Sequence, residues 1–497
     1  MATRSLRRST PVNRARVPLL AAKPVNEVCL EIEDHGVARR SAIDFFGLRN
    51  LRDPHPAAGR MAEQFINQNV SLLSSLDVRV DRDYDGRDVT LVIQAGNSVG
   101  AIPLISPTTA RPDYGLVIQP RFPWTGIGPM LAEMGWRVGP TPLRLPLLRR
   151  SERRVPPWVL SSMILVRLSA LLDSLDRRFE MVSVDRSAPR GRIDWAEYAT
   201  KRLSTGNFLS VPCTFPDLRD DRHLKGAIRY SVEKQISALE TQKEHGGFVH
   251  RLIEFARQLQ RRVRTVPICI PSRSMLDMWL QRPMRTKHLR EGLQGIEWTV
   301  EERGLAGLSD LQGIPWKMPM QQFFEAWVEV VFSSVARRTG GRLKVGRKRE
   351  TTHPINWEPP YLGSQKALVP DLWMDFDGVT LIVDAKYKRH WEEMQKHSWV
   401  RVQEDLREQH RNDLLQVLAY GNLAKTISVV TCLVYPCSDE SWESLRQRGR
   451  LFHKAEITIG DRSVRLWLTA IPMSTNLGPI TAALSDEVRK LLGPGAQ

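Results

Sequence analysis

Apolar and polar residues change rhythm along this chain. From Val89 to Phe122 short apolar runs alternate with turn residues: VTLVIQA, then GNSVG, AIPLI and LVIQPRF. Gly and Pro punctuate these runs, which predicts a small β-rich domain. From Trp158 the spacing becomes helical. WVLSSMILVRLSALLDSL reads as a buried helix, and the stretches near 221–240 and 246–264 space their apolar residues three and four apart, as amphipathic helices do. Between them, RGRIDWAEYA (Arg190 to Ala199) suggests a short strand leading into a helix. The first 70 residues show weak periodicity, and 266–318 is mixed, with Pro and Gly breaks.

The last third is patterned most sharply. MQQFFEAWVEVVFSSVARR, from Met320, predicts a helix with an apolar stripe of Phe324, Trp327, Val328, Val331 and Val335. LVPDLWMDFDGVTLIVDAKYK (Leu368 to Lys388) follows, with Asp377-Gly378 between two β-like runs, the strongest short hairpin signal. A two-residue turn there pairs Phe376 with Val379, Met374 with Leu381 and Leu372 with Val383, a wholly apolar face. The opposite face receives Asp375 with Thr380, Trp373 with Ile382 and Asp371 with Asp384; Lys386 follows on it, because side chains alternate. EDLREQHRNDLLQVLAYG predicts a helix ending near Gly421, then come a strand in TISVVTCLVYP and a strand pair around EITIGDRSVRLWLTAI. The expected fold class is a multidomain α/β (α+β) protein. Its divisions are a basic variable segment (1–70), a β-rich domain (71–155), a mainly helical region (156–310) and a mixed sheet flanked by helices (311–497).

Two carboxylates directly opposite each other on a hairpin repel and destabilise it. The usual reason to hold them together is a hard divalent cation with oxygen ligands. A lysine beside them orients or helps deprotonate a water, or stabilises charge on a phosphate, which is the set that metal-assisted phosphodiester hydrolysis needs. The competing reading is a pair of aspartates rimming the sheet in solvent. Upstream, Glu325 and Glu329 share a helix face. Glu325, close to the apolar stripe, is the candidate third carboxylate, and Glu329 reads as solvated. On the later helix Asp413, Gln416 and Tyr420 line one side, and alone they would be capping and packing residues.

Composition narrows the partners. With 42% hydrophobic and 26% charged residues the 497-residue chain is a folded one, long enough for two to four domains. Lys and Arg number 72 against 55 acids, a formal +17, which favours a polyanion partner and nucleic acid first; an Arg-rich proteome is the plainer alternative. Arginines cluster between Arg137 and Arg154 among prolines, an expected basic connector, and the N-terminus MATRSLRRSTPVNRARV reads as a basic tail. Five sparse cysteines make no disulfide framework, so a reducing cytosol fits best; Cys432, in an apolar run, reads as core. Arg167 breaks the longest apolar run short of the ~20 residues a membrane span needs. GRLKVGRK (Gly341 to Lys348) lacks the Lys-Ser/Thr of a phosphate loop, so any nucleotide-driven motor belongs to another chain.

The order of elements and the acids resemble the PD-(D/E)xK nucleases. Pro370-Asp371 and Asp384-Ala385-Lys386 match that motif, Glu325 matches the acid of the first core helix, and Gln416 with Tyr420 match a Q-x-x-x-Y element. VDAKYK, DLLQVLAYG and FFEAWVE look much like the signature of the McrC family, the nuclease subunit of modified-cytosine restriction systems. The likeness is strong over about 320–437, patchy over 85–310 and absent from the first 70 residues. It implies that Asp371 and Asp384, with Glu325, bind Mg²⁺ (or Mn²⁺), that Lys386 acts on the attacking water, and that Gln416 and Tyr420 position DNA or the second acid. Lys388 and the basic cluster Arg342, Lys344, Arg347, Lys348 and Arg349 would touch DNA phosphates, although a solvated turn explains that cluster equally well. The resemblance further implies antiphage defence, a hetero-oligomer with an AAA+ NTPase that recognises modified DNA, and docking to it through the N-terminal domains. A non-catalytic DNA-binding adaptor of such an NTPase is the alternative, and a protein that binds nucleic acid by charge alone is the third.

Overall fold

The computed structural model describes residues 28–143, 156–175, 178–219, 221–281, 286–301, 304–305, 313–361, 363–388, 391, 404–426, 428–459 and 462–492. The basic N-terminal tail and the arginines at 144–154 lie outside these residues. The fold is mixed α/β, as the pattern predicts.

The N-terminal part is built on two sheets. β1 (Val28–Glu33), β2 (Val37–Ser41), β3 (Val78–Asp85), β4 (Asp88–Ala95), β5 (Ser98–Leu104) and β6 (Tyr114–Gln119) supply them, with helix α1 (His55–Ser75) packed against both. A boundary at residue 70 therefore cuts through a helix. Its buried stripe is Ala58, Ala62, Phe65, Asn69 and Leu73, and two alanines and an asparagine make a weak hydrophobic signal for a helix of this length. Asn69 is placed there to serve the loop after β5: its side chain donates to Ile105 O at 2.9 Å and accepts from Ile105 N at 2.6 Å.

The middle is helical. α2 (Trp124–Glu133), α3 (Trp158–Ser174), α4 (Arg222–Glu240), α5 (Gly247–Val263) and α6 (Lys287–Val300) pack around the apolar run from Trp158. α4 and α5 match the helices expected near 221–240 and 246–264. RGRIDWAEYA becomes a short strand, Arg192–Ile193, and a helical turn at Trp195–Glu197, with Asp194 capping the Glu197 N–H at 2.9 Å.

β7 (Trp316–Pro319) opens the C-terminal part, yet it pairs with β5 in the N-terminal sheet through Trp316↔Ala101 to Pro319↔Ser98. The chain then enters α7 (Met320–Thr339) with no intervening residue. A six-stranded sheet follows, in the order β8 (Arg342–Val345), β9 (Leu372–Asp375), β10 (Val379–Ala385), β11 (Ser428–Cys437), β13 (Arg462–Pro472) and β12 (Phe452–Ile459). The β9–β10 hairpin has the expected register, Leu372↔Val383 to Asp375↔Thr380, closed by Phe376 N to Val379 O at 2.8 Å. β10 lies parallel to β11 and is buried almost throughout, which explains why Leu381, Ile382 and Val383 follow one another without a polar break. α7 covers the face of Leu372, Met374, Leu381 and Val383. α8 (Glu404–Gly421) covers the other, where Trp373, Ile382, Tyr420, Ala424 and Val429 form a second core. Cys432 is buried in the sheet, as its apolar surroundings predict.

Candidate active site

The end of β10 is where the acids meet. Asp384 is its penultimate residue and 2% exposed. Asp371 stands one residue ahead of β9, so it faces Asp384 from just beyond the last ladder pair, and its Oδ2 accepts the Ala385 N–H at 2.8 Å. Lys386, just past the strand, donates its own N–H to Val434 O at 2.9 Å and brings its ammonium to 2.8 Å from Asp384 Oδ2. Glu325 comes from α7, one turn after Gln321.

Gln321 ties this group together, and its part is not visible in the linear pattern. Its amide donates to Glu325 Oε1 at 2.8 Å and to Ala385 O at 2.9 Å, while its Oε1 accepts the Tyr387 N–H at 3.0 Å. The helix that offers Glu325 is thereby fastened to the strand that offers Asp384. A glutamine four residues before the candidate acid, on the same helix face, is the only hint in the sequence.

Burial and proximity set the electrostatics of these carboxyls. Burial, then the charges of Asp384 and Glu325, pushes the Asp371 carboxyl well above the usual carboxylate range. Burial also raises Glu325, outweighing its Gln321 hydrogen bond, with the Asp384 charge adding to the rise. Asp384 is raised by burial despite the pull of Lys386. Burial works against the Lys386 ammonium, but the Asp384 charge and hydrogen bond hold its pKa above the ordinary lysine value. That direction favours the charged ammonium, which donates toward Asp384.

Gln416 and Tyr420 stand on α8 one turn apart, joined by Gln416 Nε2 to Tyr420 Oη at 2.7 Å. The Tyr420 hydroxyl in turn reaches Val369 O at 3.5 Å, two residues before Asp371. They hold the backbone that carries the acid. Tyr420→Phe is expected to cost about 1 kcal/mol of stability, the scale of one net hydrogen bond; a melt indistinguishable from wild type in chemical denaturation would show that the contact is idle.

Lys388 is bracketed by both oxygens of Asp413, at 2.7 and 2.9 Å, and Asp413 also accepts the Tyr435 hydroxyl at 3.1 Å. Asp413 is thus the buried counter-ion of Lys388, beyond the capping and packing role its spacing suggests. Of the basic cluster, Lys344 pairs with Asp375 at 2.8 Å and Arg347 with Glu329 at 2.5 Å; Lys348 lies 4.0 Å from the same glutamate. Glu329, read from the pattern as solvated, is buried and also accepts Arg137 at 3.2 Å. A helix position looks solvated when its partners come from distant loops that the periodicity does not show. Arg349 is exposed on the turn, with φ 63°.

Gly346 fixes how closely that turn can approach. Its N–H donates to Asp371 O at 2.7 Å, and a Cβ there would lie 2.4 Å from Pro370 O. Gly346→Ala is expected to displace the Asp371 backbone at a cost of about 1–3 kcal/mol. A thermal melt unchanged from wild type would refute that tight fit.

The N-terminal sheet reaches this site from behind. Arg121 donates to Lys388 O at 3.1 Å and lays its guanidinium 4.6 Å from the Tyr387 ring centre, while His35 Nε2 lies 3.1 Å from Tyr387 O. Asp34 accepts the Arg121 backbone N–H at 2.7 Å.

Among known proteins, no curated protein matches the chain. The chain is similar to a chain of the refined half-complex from the tetradecameric assembly of Thermococcus gammatolerans McrB AAA+ hexamers with bound McrC. The two are 13% identical with a TM-score of 0.40, over 93% of this chain and 100% of that one. A chain of the Thermococcus gammatolerans McrBC complex, solved by cryo-electron microscopy, is also 13% identical, with a TM-score of 0.25, over 62% of this chain and 88% of that one. At such scores neither likeness bears on the argument. The family match does: residues 306–436 fit the model described as McrBC 5-methylcytosine restriction system component. That stretch contains Glu325, Asp371, Asp384, Lys386, Gln416 and Tyr420, and its match to the McrBC restriction-system component model agrees with the McrC resemblance of its motifs.

Proposed function

We propose that the chain is a Mg²⁺-dependent DNA endonuclease subunit of a McrBC-like restriction system, of the PD-(D/E)xK type. It hydrolyses phosphodiester bonds when assembled with an AAA+ NTPase that selects modified DNA. The observation that carries this reading is the convergence of Asp371, Asp384 and Glu325 on Lys386 at one strand end, three carboxyls whose burial together raises their pKa values. Inside a fold, such mutual repulsion needs a compensating charge.

The donor set fits Mg²⁺. Among the described residues no group of three or more His, Cys, Asp or Glu side chains stands ready to cage an ion. Mg²⁺ asks for no cage: it takes one or two carboxylates and keeps water and substrate phosphate for the rest. Asp371 and Asp384 would hold it, with Glu325 beside them; Mn²⁺ has the same oxygen preference. When bound, the ion supplies charge neutralisation and an activated water. Lys386 donates to the attacking water or to a phosphate oxygen. Asp384 keeps that ammonium aimed, Gln321 fixes Glu325 and the strand end together, and Tyr420 with Gln416 steadies the loop of Asp371. Lys388 would meet a phosphate only by sharing its charge with Asp413.

The test is reconstitution with the candidate NTPase, NTP and Mg²⁺, on cytosine-methylated and plain DNA. Metal-dependent cleavage of the methylated substrate is the expected result. NTPase stimulation without any cleavage would replace this reading with that of a DNA-binding adaptor.

A further inference from the structure

The connection between β8 and β9 runs from Val345 to Leu372, far longer than a loop between paired strands needs, and loops beyond about 12–15 residues in compact domains are usually functional. Its root is bolted to the site. Gly346 N–H donates to Asp371 O, and the buried Thr351 hydroxyl donates to Pro370 O at 2.6 Å. From there the two limbs pair through His353↔Leu368 and Pro354↔Ala367, and then Ile355 N to Lys366 O at 2.8 Å.

The arm carries two aromatic rings outward. Trp357 is 46% exposed and Tyr361 63% exposed, edge to face with centres 6.1 Å apart. The Trp357 indole N–H donates to Gln365 O at 2.9 Å, and Gln365 Nε2 to Ala367 O at 2.9 Å, so the indole is pinned on the arm instead of folding onto the body. A lone exposed aromatic is ordinary; two adjacent ones, one of them anchored by its only donor, form a platform. Arg349 and Lys366 are exposed at its base. Gln365 stands six residues from Asp371, at most about 20 Å of extended chain. At 3.4 Å per nucleotide along one strand that is about six nucleotides.

We propose that this arm binds the DNA flanking the scissile phosphate, with an unpaired nucleobase stacking on one ring of the Trp357–Tyr361 pair while the other meets it edge-on. The proposal rests on the nuclease reading of the neighbouring site. Aromatic platforms accept any base, because every base has a π face, and basic side chains beside them track the backbone. An unpaired base is the occupant the rings favour, since a duplex keeps its base faces stacked away from a side chain that does not wedge them apart.

The experiment titrates the full-length chain, in EDTA so that cutting plays no part, against a fluorescent single-stranded oligonucleotide and a duplex of equal length, following anisotropy. The double variant Trp357→Ala/Tyr361→Ala is expected to lose about tenfold or more in single-strand affinity. Its loss on duplex is expected to be smaller, and the slope of log affinity against log salt unchanged, because no phosphate contact is removed. Trp357→Phe/Tyr361→Phe, which keeps the rings, is expected to recover most of the affinity. Wild-type affinity in the alanine variant overturns the proposal, and so does a wild-type chain that binds neither oligonucleotide. Retained DNA affinity with lost assembly on the NTPase also overturns it, and would make the arm a protein-docking surface. Failure of the nuclease reading looks different: the reconstituted wild-type complex would not cut, whatever the anisotropy shows.

Discussion

Asp384→Asn in the reconstituted complex is expected to lower DNA cleavage by about a thousandfold, several kcal/mol of transition-state stabilisation. Two roles fall together. The carboxylate is the buried acceptor nearest the strand end, and it also aims the Lys386 ammonium from 2.8 Å. Lys386→Ala should produce a loss of similar size while leaving the acids in place. NTPase stimulation by either variant is expected to stay near wild type, because the N-terminal elements meet this strand end at the Tyr387 ring and the Tyr387 and Lys388 carbonyls, which neither substitution removes. Plasmid linearisation with partner, NTP and Mg²⁺ measures the first quantity, and phosphate release the second. Cleavage within a fewfold of wild type for both variants would sink the site assignment.

The second large effect is on stability without metal. Asp371→Asn is expected to raise the melting temperature of the metal-free chain and to abolish its response to Mg²⁺. In wild type the folded-state pKa of Asp371 lies well above its unfolded value, through burial and then the charges of Asp384 and Glu325. The sign follows from linkage. Between the unfolded pKa near 3.8 and the raised folded value, the folded state binds more protons, so the contribution of this group to stability grows as pH falls. At neutral pH the same group destabilises the metal-free fold, and a neutral amide removes that cost. Mg²⁺ acts in the same direction as the proton. At a hundred times its dissociation constant, a ligand specific to the folded state stabilises by about 2.7 kcal/mol. Differential scanning fluorimetry at neutral pH and near pH 5, with and without Mg²⁺, separates these terms. The Mg²⁺ shift should shrink toward pH 5, where protons compete. A variant that melts lower than wild type without metal and still responds to Mg²⁺ would contradict the assignment.

Much of the site could be read from the linear order because a hairpin is a local object. Asp377-Gly378 sets the register, the register sets which side chains face each other, and Asp371 with Asp384 follows from that alone. The two long helices around it were equally plain from their spacing. What escaped the pattern is everything that depends on distant elements meeting. Glu329 looks solvated until Arg137 and Arg347 arrive. Asp413 looks like packing until Lys388 does. Gln321 has only its i,i+4 spacing to Glu325 as a signal, since its other two hydrogen bonds run to backbone on an element whose approach the sequence does not show. The helix at His55–Ser75 was lost for a different reason: alanines bury well but scarcely raise the hydrophobic contrast of one face over another.

The strand Trp316–Pro319 leaves one more consequence. It is hydrogen-bonded into the N-terminal sheet, and it continues without a joint into the helix that bears Gln321 and Glu325. A torque applied to that sheet by whatever grips it therefore acts on a continuous strand-to-helix segment whose first helical turn is tied by Gln321 to the end of β10. A partner bound to the N-terminal sheet would need no messenger to the carboxylate cluster; it would hold the handle.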